Sequence, residues 1–306
     1  MPNNKQFKEK IKRVVILGHS GFIGRHIEKI FNEKSPNIEL IGRSYPDLDL
    51  CFKEDAYSLS PLFDMDTAVI MVSGIKRQLG DSLDIFSKNV SMANNVCSVL
   101  QEKPVKHLLF FSSAAVYGEE IDNIDITEKT PVHPTSYYGI AKYASECLFR
   151  KVFSEQENNS LIILRPPLVY GPGDQTTIYG PSGFAIKALH KEKITLWGDG
   201  SELREFFYVE DLAKIVYDLT FNNFDGIVNI SSGESSDFKQ ILDILSNILC
   251  YKLEIDSRPR TRKKVDNKFK NNRLLEVLPN VSFTDLKEGI KNVVNGLNNS
   301  NEQMRK

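Results

Sequence analysis

Apolar residues in this chain form short, nearly unbroken runs, separated by stretches in which they recur every three or four positions. Runs of this length predict strands buried on both faces of a parallel sheet. They cover residues 14–17, 38–42, 67–72, 106–111, 161–164 and 227–230. Helical periodicity follows the first run and returns over residues 83–100 and 138–153. The alternation predicts an α/β fold built on a doubly wound parallel sheet.

The pattern changes after residue 165. Prolines and glycines crowd residues 166–183, which marks a domain boundary or a pocket built from loops. Further helical stretches are predicted at residues 184–190, 211–219, 237–249 and 286–294. The polar tail from residue 295 is predicted to be frayed.

A glycine-rich loop joins the first predicted strand to the first helix. Gly18, Gly21 and Gly24 are spaced three apart, which allows a tight turn and lets backbone N–H groups approach a pyrophosphate at the helix N-terminus. The loop therefore predicts a dinucleotide site that also includes Phe22 and Ile23. The alternative is an ordinary strand-to-helix turn that happens to be rich in glycine.

The end of the second predicted strand bears on the choice of dinucleotide. Arg43 and Ser44 stand there, where an acidic residue would bind the 2′-hydroxyl of NAD and an arginine suits the 2′-phosphate of NADP. We therefore expect NADP, with NAD as the alternative. Arg43 could equally be an exposed loop cation.

Three residues further along are candidates for acid/base chemistry. Tyr138 and Lys142 are four apart and share one face of a predicted helix, where an ammonium beside a phenol favours the phenolate and lowers its pKa. Ser113 follows a buried strand, at the sheet edge where open α/β folds bind ligands. Taken singly, the spacing occurs by chance in many helices, and a serine after a strand commonly caps a turn.

Composition excludes several classes of function. With a net charge of -1 over 306 residues, the chain lacks the excess of positive charge that favours binding to nucleic acid or to an anionic membrane. A local basic cluster, Arg258 to Lys264, suits one polyanionic small ligand. The four cysteines show no C-x-x-C pair, so neither zinc nor a disulfide framework is indicated. The polar N-terminus has no apolar signal core, and we expect a cytoplasmic protein.

Five motifs together resemble the extended short-chain dehydrogenase/reductases, in particular the nucleotide-sugar epimerases, dehydratases and reductases. They read GHSGFIG, FSSAAVYG, SYYGIAK, RPPLVYGPG and GDGSELREFFYVEDLA. The resemblance implies a Rossmann-type domain, residues 1–170 with 206–230. It also implies a smaller C-terminal α/β substrate domain, residues 171–205 and 231–306.

The resemblance also implies roles for individual residues. Ser113, Tyr138 and Lys142 match the catalytic hydroxyl, the acid/base and the lysine that binds the nicotinamide ribose. Arg204 matches the arginine that grips the sugar nucleotide, and Arg258 resembles a second one. Thr176 and Ser113 complete the expected substrate contacts, and Asn89 stands where relatives often keep an asparagine. A homodimer is implied through the helices at residues 83–100 and 138–153.

Departures from the family pattern restrict which reaction we expect the protein to catalyse. Ala114 and Ala115 replace the Asp-Glu pair of the 4,6-dehydratases, so elimination of water is not expected. Leu168 replaces an asparagine of many 4-epimerases, and Arg43 replaces the acidic residue of the NAD-binding ones. We therefore expect an NADP-dependent reductase of a nucleotide-linked 4-keto sugar. The alternatives are an NAD-dependent 4-epimerase and, more remotely, a non-catalytic dinucleotide-sensing protein.

Overall fold

The computed structural model describes residues 11–176, 179–260 and 263–304. Its strands are β1 (Arg13–Leu17), β2 (Glu39–Arg43), β3 (Thr67–Met71), β4 (His107–Phe111), β5 (Asn123–Ile126), β6 (Ser160–Arg165), β7 (Leu168–Tyr170), β8 (Ile194–Trp197), β9 (Leu203–Arg204), β10 (Phe206–Tyr208), β11 (Gly226–Asn229), β12 (Ser236–Asp237), β13 (Ile255–Arg258) and β14 (Asn267–Phe269). Its α-helices are α1 (Phe22–Lys34), α2 (Lys53–Tyr57), α3 (Leu83–Glu102), α4 (Tyr137–Phe153), α5 (Gly180–Leu189), α6 (Val209–Thr220), α7 (Phe238–Leu249), α8 (Asn272–Val277) and α9 (Leu286–Met304).

A six-stranded parallel sheet forms the centre, in the order β11-β6-β4-β3-β1-β2. Alternate side chains of β1 enter different cores, because successive residues of a strand point to opposite faces. Val14 and Ile16 pack with residues of α1 and α6, and Val15 and Leu17 pack with residues of α3 and α4. Helices therefore cover both faces, and the expected doubly wound α/β fold is confirmed.

A separate apolar cluster lies in the C-terminal part of the chain. It brings together α5, α7, α9 and β8, with Phe184, Leu245 and Ile290 at its centre. Four two-stranded sheets complete the described structure: β10 with β7, β12 with β9, β13 with β8, and β14 with β5. The pairing of β7 with β10 brings Leu168–Tyr170 alongside Phe206–Tyr208.

The boundaries differ from the predictions in two instructive places. Helix α5 begins at Gly180, earlier than predicted, because Pro181 is tolerated in the first turn of a helix. Helix α9 continues to Met304 through the stretch predicted to fray. Leu297 packs against the C-terminal cluster there, and this contact holds the polar segment in a helix.

Within the described part of the chain, no helix combines the length and the apolar character needed to cross a membrane.

Candidate active site

The glycine loop lies at the carboxyl ends of β1 and β3, where the strand order reverses. Gly18 has φ of +92°, and a Cβ there would lie 2.8 Å from the backbone nitrogen of Ser73. A Cβ on Gly24 would overlap the Gly18 carbonyl oxygen. Helix α1 starts after Gly21 with no side chain capping its first turn. Close backbone packing and an uncapped helix N-terminus fit the pyrophosphate of a dinucleotide.

The tip of β2 is tied to this loop. The backbone N–H of Gly18 donates to the Arg43 carbonyl oxygen at 2.7 Å, and the N–H of Ser20 donates to Ser44 Oγ at 3.0 Å. The exposed Arg43 guanidinium donates to the neighbouring Gly42 carbonyl at 2.8 Å. Ser44 lines the adjoining cleft, whereas Arg43 lies beside that lining rather than in it.

Two cavities meet beside the candidate catalytic residues. The first, of about 1030 Å³, runs from the glycine loop to Tyr138 and Lys142. The second, of about 500 Å³, lies between β4 and the C-terminal part of the chain. Residues that line both are Arg77, Ser113, Glu119, Pro166, Pro167, Leu168 and Tyr179. Ser113 therefore stands at the junction of the two.

Helix α4 carries Tyr138 and Lys142 into the first cavity. The helix begins after Ser136, whose Oγ accepts a hydrogen bond from the Gly139 N–H at 3.1 Å. Lys142 Nζ lies 5.8 Å from the centre of the Tyr138 ring and donates to the Phe111 carbonyl oxygen at 2.7 Å. The Ser113 hydroxyl lies beside the Tyr138 hydroxyl and acts to lower its pKa. The structure thus brings together the three residues predicted to be catalytic.

The electrostatics of this trio differ from the expectation. Burial raises the pKa of Tyr138 to about 12, against the lowering effect of the Ser113 hydroxyl. Burial also lowers the pKa of Lys142 to about 8, with the Glu146 carboxylate acting in the opposite direction. The Lys142 ammonium is directed to the Phe111 carbonyl, so desolvation outweighs its effect on the phenol. The predicted lowering of the Tyr138 pKa was therefore wrong for this structure.

A buried ionic network supports the trio from behind, and the sequence analysis missed it. Arg165 donates to both carboxylate oxygens of Glu146, at 2.9 and 2.6 Å, and to the Tyr117 hydroxyl at 2.9 Å. The Ser112 hydroxyl donates to the same carboxylate. Glu146 lies one turn beyond Lys142, so the spacing Lys-x-x-x-Glu was the signal that could have found it.

Asn89 holds the segment that follows β3. Its Oδ1 accepts from the Ile75 N–H at 2.8 Å, and its Nδ2 donates to the Ile75 carbonyl at 3.1 Å. Gly74 beside it leaves room for Lys142, since a Cβ there would lie 3.2 Å from Nζ. Asn89 therefore positions the backbone beside Lys142.

The predicted substrate residues are only partly brought together. Arg204 lines the second cavity, where its guanidinium donates to the Leu203 carbonyl at 2.9 Å and also to the Val265 carbonyl. Thr176 lines the first cavity, and its hydroxyl donates to Asp174 at 2.7 Å.

Residues of the basic cluster line the second cavity, but the predicted Arg258 is not among them. Arg258 ends β13, where it is exposed, 6.0 Å from the centre of the Trp197 ring and outside the lining of the second cavity. Arg260 and Lys263 line that cavity instead. Arg260 lies beyond the end of the strand, and its ion pair with Glu202 draws its guanidinium to the cavity wall. Arg262 lies outside the described residues.

Comparison with known proteins identifies the family. Residues 14–230 match the NAD dependent epimerase/dehydratase family. The chain belongs to this family. The resemblance to the nucleotide-sugar branch of the extended short-chain dehydrogenase/reductases is thereby confirmed, and with it dependence on NAD or NADP.

Individual members of the family are similar along their whole length. A putative UDP-glucose 4-epimerase of Methanocaldococcus jannaschii is 28% identical, over 94% of this chain and 99% of that protein. The UDP-glucose 4-epimerase of Thermus thermophilus, solved with NAD, has a TM-score of 0.80 and 23% identity, over 94% of this chain and 99% of its own. A GDP-L-fucose synthetase of Naegleria fowleri bound to NADP also has a TM-score of 0.80, at 20% identity over 96% of each chain. These two structures share the fold.

Proposed function

We propose that this family member is an NADP-dependent reductase of a nucleotide-linked 4-keto sugar. The observation that carries the proposal is the position of Ser113 at the junction of two cavities, beside Tyr138 in the first. A dinucleotide in the first cavity and a sugar nucleotide in the second would meet at these hydroxyls. When bound, the nicotinamide supplies hydride to the sugar carbonyl.

Each residue of the trio then has a distinct task. Tyr138 donates the proton to the carbonyl oxygen, and its neighbour Ser113 stabilises the negative charge that develops there. The raised pKa of Tyr138 keeps the phenol protonated at neutral pH, which is the state a proton donor requires. Lys142 holds the first cavity electropositive beside it.

The preference for NADP rests on the tip of β2. The guanidinium of Arg43 is exposed beside Ser44 at the edge of the first cavity, where a 2′-phosphate could reach it. Asp49, an acidic residue of that cavity, accepts a hydrogen bond from the Cys51 N–H at 2.9 Å. Replacing Arg43 by Ser is expected to weaken binding of NADPH about tenfold, while NADH binding, the matched control, is unchanged.

The substrate's diphosphate is assigned to Arg204, with Arg260 and Lys263 as further cations of the second cavity. A guanidinium meets phosphate oxygens with paired hydrogen bonds. Thr176 remains a candidate for a polar contact at the edge of the first cavity. Arg258 is the weakest of the predicted contacts, given its position outside the cavity lining.

The proposal is tested by supplying NADPH or NADH with a panel of UDP-, GDP-, CDP- and dTDP-linked 4-keto sugars. Stoichiometric loss of absorbance at 340 nm with NADPH, and much slower loss with NADH, is the expected result. Oxidation of neither coenzyme by any sugar in the panel would refute the reductase assignment.

The second candidate is an NAD-dependent 4-epimerase. The observation in its favour is the putative UDP-glucose 4-epimerase that is 28% identical over nearly the whole chain. It predicts interconversion of UDP-glucose and UDP-galactose with no net consumption of coenzyme. That result, followed by chromatography of the two sugars, would reverse our order of preference.

Three further expectations belong to the proposal. Residues 1–170 with 206–230 would form the dinucleotide domain, supported by the pairing of β11 with β6, and residues 171–205 and 231–306 the substrate domain. A homodimer is supported by exposed apolar residues on one side of α4, Tyr137 and Ile140, and would be seen by sedimentation at micromolar concentration. A cytoplasmic location is supported by four free cysteines.

A further inference from the structure

A charged cluster at the start of α4 is not used by the mechanism above. Arg77 lies in the segment between β3 and α3, and its Nη1 forms an ion pair with Glu119 Oε2 at 2.5 Å. Its Nε lies 4.0 Å from Asp81 Oδ2. All three side chains are about one-third exposed, so they are neither free surface charges nor fully desolvated ones.

Both carboxylates hold the first turn of α4. Asp81 Oδ1 accepts the N–H of Tyr138 itself, at 2.9 Å. Glu119 Oε2 accepts the hydroxyl of Ser136 at 3.0 Å, and Ser136 caps the helix. Negative charge at a helix N-terminus is favourable, because the unpaired N–H groups there carry partial positive charge.

The cluster also lies where the two cavities meet. Arg77 and Glu119 line both cavities, together with Tyr179. The Gln78 side chain lies beside the Tyr179 phenol and acts to lower its pKa, so the same segment also neighbours the residue that precedes α5. The 76–81 segment therefore forms part of the wall beside the reacting hydroxyls.

We propose that Arg77, Asp81 and Glu119 form a positioning triad that fixes the first turn of α4 and sets the charge around the Tyr138 hydroxyl. The two carboxylates orient the helix, and the guanidinium between them compensates their charge. The inference rests on the proposed function in one respect, the role of Tyr138 as the acid.

The charges that face Tyr138 come from each surrounding element. Lys142 lies on its own helix, Glu119 follows β4, and Arg77 and Asp81 precede α3. Of these charges, the Glu119 carboxylate acts on the phenol and raises its pKa, and Arg77 pairs with that carboxylate. Removing the Arg77 charge leaves Glu119 uncompensated and makes ionisation of the phenol harder, and removing the Glu119 charge has the reverse effect.

The first experiment measures this charge effect as kcat at pH 7 with saturating NADPH and sugar, because the pKa of Tyr138, about 12, lies above the range of a pH profile. Arg77→Gln makes the phenol a weaker acid and is expected to lower kcat about twofold to threefold, and Glu119→Gln is expected to raise kcat by a similar factor. The double variant and Arg77→Lys should return close to the wild-type kcat. General damage to the fold does not produce opposite changes, so changes of one sign, or none, would overturn the proposal.

The second experiment needs no turnover and tests the orientation of the helix. Amide hydrogen exchange of residues 137–142 in the intact chain is expected to rise about fivefold to tenfold in Asp81→Ala, since one helix-capping interaction is worth about 1 kcal/mol. Asp84→Ala, which removes an exposed carboxylate paired with Lys88, is the matched control. Equal exchange in the two variants would overturn the triad even if the wild type reduces every expected sugar. Absence of turnover in the wild type, with exchange raised only in Asp81→Ala, would refute the proposed function and support the triad.

Discussion

We expect the buried ammonium of Lys142 to lower the free energy of unfolding, although the proposed active site requires this residue. Its side chain is 6% exposed, and burial lowers its pKa from an ordinary value of 10.5 to about 8. A folded state that holds a proton less tightly than the unfolded chain loses stability wherever that proton is bound. Lys142→Met, which keeps the apolar stem without the charge, is therefore expected to stabilise the fold.

The size of the effect follows from the two pKa values. Their separation corresponds to about 3 kcal/mol at neutral pH, from which about 1 kcal/mol is subtracted for the lost hydrogen bond to the Phe111 carbonyl. The cost of the lysine is complete below pH 8, where both states bind the proton. It fades between pH 8 and 10.5, as the folded state releases its proton first, and it is absent above that window. The gain from Lys142→Met is thus about 2 kcal/mol at pH 7 and close to zero at about pH 9.5.

Urea unfolding of the wild type and the variant at these two pH values measures the gain. Lys151→Met is the matched control, because Lys151 lies on the same helix with its side chain 73% exposed. The control should stay within about 0.5 kcal/mol of the wild type at both pH values. A less stable Lys142→Met at pH 7, or a gain that does not change with pH, would refute the reasoning.

Three further outcomes follow from the structure. Arg165→Met should lower the free energy of unfolding by about 3–5 kcal/mol, because it leaves a fully buried carboxylate without its ionic partner; a loss below 1 kcal/mol in urea unfolding would contradict the buried pair. Gly24→Ala should abolish dinucleotide binding in fluorescence titration, since its Cβ overlaps the Gly18 carbonyl oxygen; unchanged affinity would show that the loop is not the cofactor site. Iodoacetamide at pH 8 should modify exposed Cys147 well before Cys97, whose pKa burial raises to about 12; peptide mass spectrometry showing the reverse order would place Cys97 at the surface.

The central sheet could be predicted from the sequence because its strands are buried on both faces. A continuous apolar run such as Val14–Leu17 is typical of a parallel strand that is covered by helices on both faces. Each of the six predicted strands is present, with bounds that differ by about one residue. The two-stranded pairs could not be predicted in this way. β9 and β12 are two residues long and half-buried, so no apolar periodicity marks them.

The three candidate catalytic residues could be picked out from the sequence because local spacing marks them, whereas their environment depends on distant parts of the chain. Tyr138 and Lys142 are one helical turn apart, which the sequence shows directly. The carbonyl that binds the Lys142 ammonium belongs to Phe111, 31 residues earlier, and only the fold brings it there. For that reason, the direction of the Tyr138 pKa shift could not be predicted from residue spacing alone.

In the second cavity, too, the sequence predicts some features and only the fold determines the others. The motif predicted Arg204, which lines the second cavity, but the choice among the cations of the basic cluster depends on where β13 ends and on which distant side chains each cation meets. Arg258 and Arg260 are two residues apart and have different partners: Arg258 stacks near Trp197, and Arg260 pairs with Glu202. Sequence patterns gave no means of distinguishing them.

The most direct test of the account is the rate of coenzyme oxidation by Tyr138→Phe with a 4-keto sugar nucleotide that the wild type reduces. A positioned proton donor contributes roughly 10²–10⁴-fold, so the variant should be slower by that factor while its affinity for NADPH is unchanged. A variant that binds NADPH and turns over at the wild-type rate would contradict the assignment of Tyr138 as the acid.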